Sequence, residues 1–274
     1  MKTNNLFFMV ITAVLLLFNS TITLAQEEAK IPQYYTVTTM HWNMDYQDFE
    51  LDTWKAVEKE YLDKVVMKNE HILGSSIYLH HTTPDNTELL YVQVYESWDA
   101  IDKAAKRNEE LAKEAWSNDD ERKAFFKKQN AFYSNFHSDE IYATMSGAKE
   151  LQEPTKDMIM YLRKSHFAFP EDGTMAEFNT LSSEYMEKII HKNELIKGYY
   201  PGAHAYGADK TEFVEAYFFD SEADLNKMFD RNDELRKEAW PDGEARKERG
   251  RKVGKYFTGV HGDAVYTMVH GLSK

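Results

Sequence analysis

Apolar positions recur along this chain with two alternating periods. The run Tyr34-Tyr35-Thr36-Val37-Thr38-Thr39-Met40 is β-branched and aromatic and predicts a strand. Trp54, Val57, Tyr61 and Val65 then fall three or four residues apart, which gives one apolar face to a helix over residues 46–69. Gly74 is a fitting stop for it. Short strands are expected at Ser75–His81 and Glu88–Tyr95, separated by Thr82-Thr83-Pro84-Asp85-Asn86, a stretch with turn chemistry. Ser97 offers an N-cap for a second helix running to about Trp116. A third helical piece, Asp119 to Tyr133, leads into a last strand at His137–Met145.

The same pattern then starts again. From Tyr61–Met145 to Tyr185–Val269 the chain aligns with itself at an offset of 124 residues, without a gap and with about a third of positions identical. Lys113-Glu114-Ala115-Trp116 matches Lys237-Glu238-Ala239-Trp240, and Arg107-Asn108 matches Arg231-Asn232. The second copy predicts strands at Met158–His166, Tyr199–Tyr206, Glu212–Phe219 and Gly262–Val269. Its helices are expected at Thr174–Lys192 and from Ser221 to Trp240, where Pro241 breaks the second. Each copy therefore reads β-α-β-β-α-β, the ferredoxin-like order. Repeat 1 spans residues 33–146, a polar linker 147–157, and repeat 2 residues 158–270.

An open four-stranded sheet with helices on one side leaves its other face bare, and two copies on one chain solve this by packing sheet to sheet. On this element order and duplication the chain resembles the dimeric α/β-barrel superfamily, here with both modules fused in tandem. The resemblance implies an α+β fold with the two repeats forming an intrachain α/β barrel. That superfamily includes small-molecule monooxygenases of the antibiotic-biosynthesis type, lactone isomerases and stress-response proteins. No catalytic motif of a member is matched residue by residue, so no site residue is carried over.

Residues 1–25 stand apart from this pattern. Lys2, an apolar run from Leu6 to Phe18 and the ending Thr23-Leu24-Ala25 follow the layout of a cleaved secretory signal peptide. The run is shorter than the roughly 20 residues of a membrane span, so the mature protein is expected to be exported, periplasmic or secreted, and free of the membrane. The chain has no cysteine, which removes disulfides, thiolate metal sites and cysteine nucleophiles. A net charge of −13 argues against nucleic acid as a partner.

Candidate chemistry comes from histidines matched across the repeat. His80 pairs with His204 and His137 with His261 at the fixed offset, and His41 pairs with His166 when one residue is allowed after the first strand. In the 4-1-3-2 strand order of this fold all six converge on one end of their sheets. His137 and Asp139, like His261 and Asp263, lie two apart on one strand face, where a carboxylate orients an imidazole or joins it as a metal ligand. The ligand-binding candidates are thus His41, His80, His137, Asp139, His166, His204, His261 and Asp263. Three readings follow: an exported small-molecule-binding protein with its pocket between the sheets, a cofactor-free or metal-dependent oxygenase or isomerase using the His–Asp pairs, and a structural or protein-interaction module. The sequence identifies no cofactor, metal or substrate, and it leaves the oligomeric state open.

Overall fold

The computed structural model describes residues 31–274, so the signal-peptide expectation for residues 1–25 lies outside the described residues. Repeat 1 contains strands β1 (Tyr34–Trp42), β2 (Gly74–Thr82), β3 (Glu88–Tyr95) and β4 (Tyr133–Thr144), with helices α1 (Leu51–Lys64), α2 (Trp98–Ala115) and α3 (Asp119–Asn130). Repeat 2 contains β5 (Met158–Phe167), β6 (Gly198–Tyr206), β7 (Glu212–Phe219) and β8 (Phe257–Ser273), with α4 (Met175–Tyr185), α5 (Glu222–Ala239) and α6 (Gly243–Gly254).

The strand order is β1-β3-β2-β8-β5-β7-β6-β4, closed on itself. Each repeat keeps the expected internal order, and the repeats meet at two seams, β2 with β8 and β4 with β6. Closure has a simple cause. A lone ferredoxin-like sheet leaves the backbone groups of its two outer strands unpaired, and the second repeat supplies the partner for each.

Side chains of strand parity divide between two environments. Inward-facing Val37, Tyr78, Leu90, Met160, Phe218 and Met268 form one apolar cluster shared by both repeats, which fills the barrel. Outward-facing strand residues pack against the helices, Leu89 against Trp54, Trp116 and Phe125 in repeat 1, and Tyr161, Tyr199 and Phe219 against Met228 in repeat 2.

The helices start where their caps dictate. Ser97 and Ser221 accept from the backbone N–H groups of Ala100 and Asp224, each at 3.2 Å. Matched asparagines tie the helices together: Asn69 Nδ2 donates to Asn108 Oδ1 at 2.7 Å, and Asn193 Nδ2 to Asn232 Oδ1 at 2.8 Å. Both first helices are shorter than their periodicity predicts. In repeat 1 the helix ends at Lys64 and tightens into a 3-10 turn, Val66–Lys68; in repeat 2 it ends at Tyr185 and widens into a π turn, Met186–Ile190. Apolar spacing alone does not tell these turns from α-helix, because all three bury the same residues. The last strands begin earlier than expected, at Tyr133 and Phe257, where ring stacking of Trp42 on Tyr133 and of Phe167 on Phe257 extends the pairing.

Candidate functional site

The histidines expected to converge are split between the two faces of the sheet. His41, His80, His166 and His204 share parity with the barrel interior: His41 pairs with Glu88, His166 with Glu212, His80 with Tyr266 and His204 with Tyr142 in register. His137, Asp139, His261 and Asp263 have the opposite parity and face outward. His137 Nε2 lies 3.3 Å from Asp139 and His261 Nδ1 lies 2.8 Å from Asp263. His41 instead pairs with Asp85 at 3.2 Å, and His166 with Asp209 at 3.1 Å. Among the described residues, no three His, Asp or Glu side chains converge on a point that would hold a metal ion.

A polar layer lies at the inner end of the barrel. Tyr142 on β4 donates to Glu212 on β7 at 2.6 Å, and Tyr266 on β8 donates to Glu88 on β3. The two bonds are equivalent under the 124-residue offset, and each spans one seam between the repeats. Only repeat 2 adds Lys164, 3.0 Å from Glu140 and 3.7 Å from Glu212; Thr39 and Ala264 stand at the matching places.

The pocket expected between the sheets lies elsewhere, because the apolar cluster fills that space. It opens on the outer face of repeat 2, between its sheet and helices α4, α5 and α6, with a volume of about 430 Å³. Aromatic side chains wall it, among them Phe178, Phe213, Tyr217, Trp240 and Phe257. Four arginines, Arg163, Arg236, Arg246 and Arg249, also line it, against a single carboxylate, Glu215.

The matching place in repeat 1 is filled. A remnant of about 10 Å³ borders Glu58, Tyr61 and Tyr91, whose counterparts Ser182, Tyr185 and Glu215 line the large pocket. The difference traces to individual replacements at matched positions. Phe125 stacks on Trp116 at 4.1 Å, whereas Arg249 lies over Trp240 at 4.1 Å. Phe126 becomes Gly250, whose missing Cβ would meet nothing within 4 Å. Glu58, tied in repeat 1 to Tyr133 at 2.7 Å and to Gln129, becomes Ser182.

A row of polar side chains crosses the pocket floor. Register places Glu215 of β7 opposite Arg163 of β5, and Arg163 opposite Asp263 of β8. Glu215 Oε1 accepts from Tyr199 and from Tyr217, each at 2.8 Å. Asp263 accepts from Tyr161 at 2.5 Å as well as facing His261. Burial pushes the Glu215 carboxyl above the ordinary glutamate range, against the two tyrosine hydroxyls and Arg163, which lower it. Of the residues predicted from sequence, His261 and Asp263 thus border the pocket through Tyr161 and Arg163, while in repeat 1 Thr38 donates to Asp139 at 2.7 Å. Identity between the repeats does not mark Arg163, Arg236, Arg249 or Glu215, whose counterparts are Thr38, Ala112, Phe125 and Tyr91; Arg246 is matched by Arg122.

The sequence matches no family model, and no curated protein matches it. The fold does have relatives among solved structures. A proposed monooxygenase from Lactobacillus acidophilus superposes with a TM-score of 0.52 at 10% identity, covering 87% of this chain and 94% of that one. A proposed monooxygenase from Fusobacterium nucleatum gives 0.53 at 11%, covering 88% and 94%. Chlorite dismutase from Candidatus Nitrospira defluvii, in complex with imidazole, gives 0.52 at 11%, covering 87% and 91%. At these identities the similarity establishes the fold: two fused ferredoxin-like repeats closed into one α+β barrel.

Proposed function

We propose that this protein binds a small aromatic anion between the sheet and helices of repeat 2. One observation carries the reading: two copies of one module differ at the same place, filled in repeat 1 and open in repeat 2. Phe125, Phe126 and Glu58, which close this place in repeat 1, are replaced in repeat 2 by Arg249, Gly250 and Ser182, and the opening they leave has room for a small molecule. The pocket walls specify that molecule. An aromatic lining that includes Phe178, Phe213 and Tyr217 favours a flat apolar body. Arg249 is paired with Glu184 and Arg163 stands between Glu215 and Asp263, which leaves Arg236 and Arg246 as the cationic surplus of the wall, and that surplus favours a negatively charged ligand.

His261 and Asp263 serve this site at one remove, by holding Tyr161 and Arg163 in place. With the leader pattern of residues 1–25, the setting we propose is outside the cytoplasm. An oxygenase or isomerase is the second reading. The barrel is shared with proteins described as monooxygenases, and the observation that favours catalysis here is Glu215, a carboxylate on the pocket floor.

The test compares two fluorescent probes of similar shape, anionic 1-anilinonaphthalene-8-sulfonate and uncharged N-phenyl-1-naphthylamine, by equilibrium titration. Saturable one-to-one binding that prefers the anion, weakened at least tenfold by Arg236→Ala, is expected. Absence of binding, or equal affinity for both probes regardless of Arg236, would overturn the reading.

A further inference from the structure

We propose that Glu215 takes a proton from the molecule held in the repeat-2 pocket, so that the site carries out base catalysis on an aromatic carbon or hydroxyl acid. The proposal rests on the reading of that pocket as a binding site and adds a reaction to it. Its basis is the placement of one carboxylate. Both hydrogen bonds to Glu215 arrive at Oε1, from Tyr199 and Tyr217, and among the described residues no hydrogen bond falls on Oε2. The side chain lines the pocket, so Oε2 is the oxygen left for a ligand. The two tyrosines fix the carboxylate without engaging Oε2, and its burial on the pocket floor favours the protonated form, which makes it a stronger base than an exposed glutamate.

Repeat 1 supplies an internal contrast. The positions of Tyr199, Glu215 and Tyr217 are held there by Ser75, Tyr91 and Gln93, and those of Tyr161 and Arg163 by Thr36 and Thr38. These five residues are absent from the filled copy and present in the open one, while the His–Asp pair beside them is kept in both. A buried carboxylate that served only packing would have no reason to accompany the opening; repeat 1 buries its own, Glu58, inside a closed network.

The proposed step balances within the pocket. Oε2 forms an O–H bond with the departing proton, and the broken C–H or O–H bond leaves its electron pair on the ligand. Negative charge passes from Glu215 to the aromatic system, where Arg163 and Arg236 stabilise it. The proton later leaves Glu215 to water.

5-Nitrobenzisoxazole tests this directly. A base removes its C3 proton, the electron pair forms the nitrile as the N–O bond breaks, and the 2-cyano-4-nitrophenolate released is read by its visible absorbance. We expect the intact protein to exceed acetate at equal carboxylate concentration by at least 100-fold. Its rate should rise with pH through one ionisation lying above the ordinary glutamate value. Glu215→Gln should fall to the acetate rate while still binding the anionic naphthalene probe, and Glu58→Gln should keep the wild-type rate. Probe binding without turnover above acetate, a pH-independent rate, or an unchanged rate in Glu215→Gln would overturn the role of Glu215 and leave the binding site standing. Failure of the wild type to bind the probe would overturn both.

Discussion

Gly250 of repeat 2 stands where repeat 1 carries Phe126, and the space the phenyl ring fills in one copy is open in the other. The two helices that bear them, α3 and α6, are both 12 residues long and follow equivalent turns. The backbone is therefore conserved between the copies while the side chains that decide packing are exchanged. A glycine within a helix costs about 0.5–1 kcal/mol relative to alanine, a cost that local structure gives no reason to accept at this position.

The filled copy should behave as an ordinary core. Phe125 is buried and stacks on Trp116. Phe125→Ala is expected to lower unfolding free energy by about 3–5 kcal/mol, read by urea denaturation. Its counterpart Arg249 is not part of a closed core, so Arg249→Ala should cost less than half as much and act chiefly on probe affinity.

The crossed tyrosine–glutamate bonds tie side chains across the two seams that close the barrel. Tyr266→Phe leaves Glu88 without its cross-seam donor, and Tyr142→Phe does the same to Glu212. Each should cost about 1–3 kcal/mol. The two bonds share no partner, so the double variant is expected to show a near-additive loss in chemical denaturation. A loss far below the sum would mean that one seam opens without the other.

Acidity at Glu58 gives a pH test. Burial raises its carboxyl, although Tyr133 and Gln129 donate to it and lower it. A folded-state value above the unfolded value of about 4.3 means that the folded protein holds this proton more tightly. The resulting stability is complete below the unfolded value and is lost as pH rises through the folded one. Glu58→Gln removes that loss. The difference in unfolding free energy between variant and wild type should therefore move in the variant's favour as pH is raised from 4 to 7, and a constant difference would contradict the assignment.

His137 and Asp139 are both more than half exposed, and ion pairs of that kind contribute about 0–1 kcal/mol. The His137→Ala/His261→Ala variant should accordingly keep its thermal midpoint within a few degrees. Probe binding should respond to His261→Ala alone and be indifferent to His137→Ala, since only the repeat-2 pair touches residues that line the pocket.

The fold was legible because several levels of the sequence agree. Strand periodicity, helix caps such as Ser97 and Ser221, and the 124-residue repeat all specify the same module, and duplication implies the closed barrel. The site was legible only in part. Matched histidines mark one end of the sheets, but strand parity sends His41 inward and His137 outward, and register must be known before the two can be placed. Pocket volume was illegible in either copy alone. It depends on whether a side chain such as Phe126 or Gly250 reaches into a space bounded by three helices, and only their comparison at matched positions carries that information.

The most direct measurement is probe affinity in Gly250→Phe, which restores to repeat 2 the ring that repeat 1 uses. Nothing lies within 4 Å of the new Cβ and Gly250 lines the pocket, so the ring is expected to enter the open volume and leave the fold at least as stable as wild type. The account predicts loss of anionic-probe binding by at least tenfold with an unchanged or raised unfolding midpoint. Wild-type affinity in a stable Gly250→Phe protein would show that the ligand binds elsewhere and would contradict the central claim.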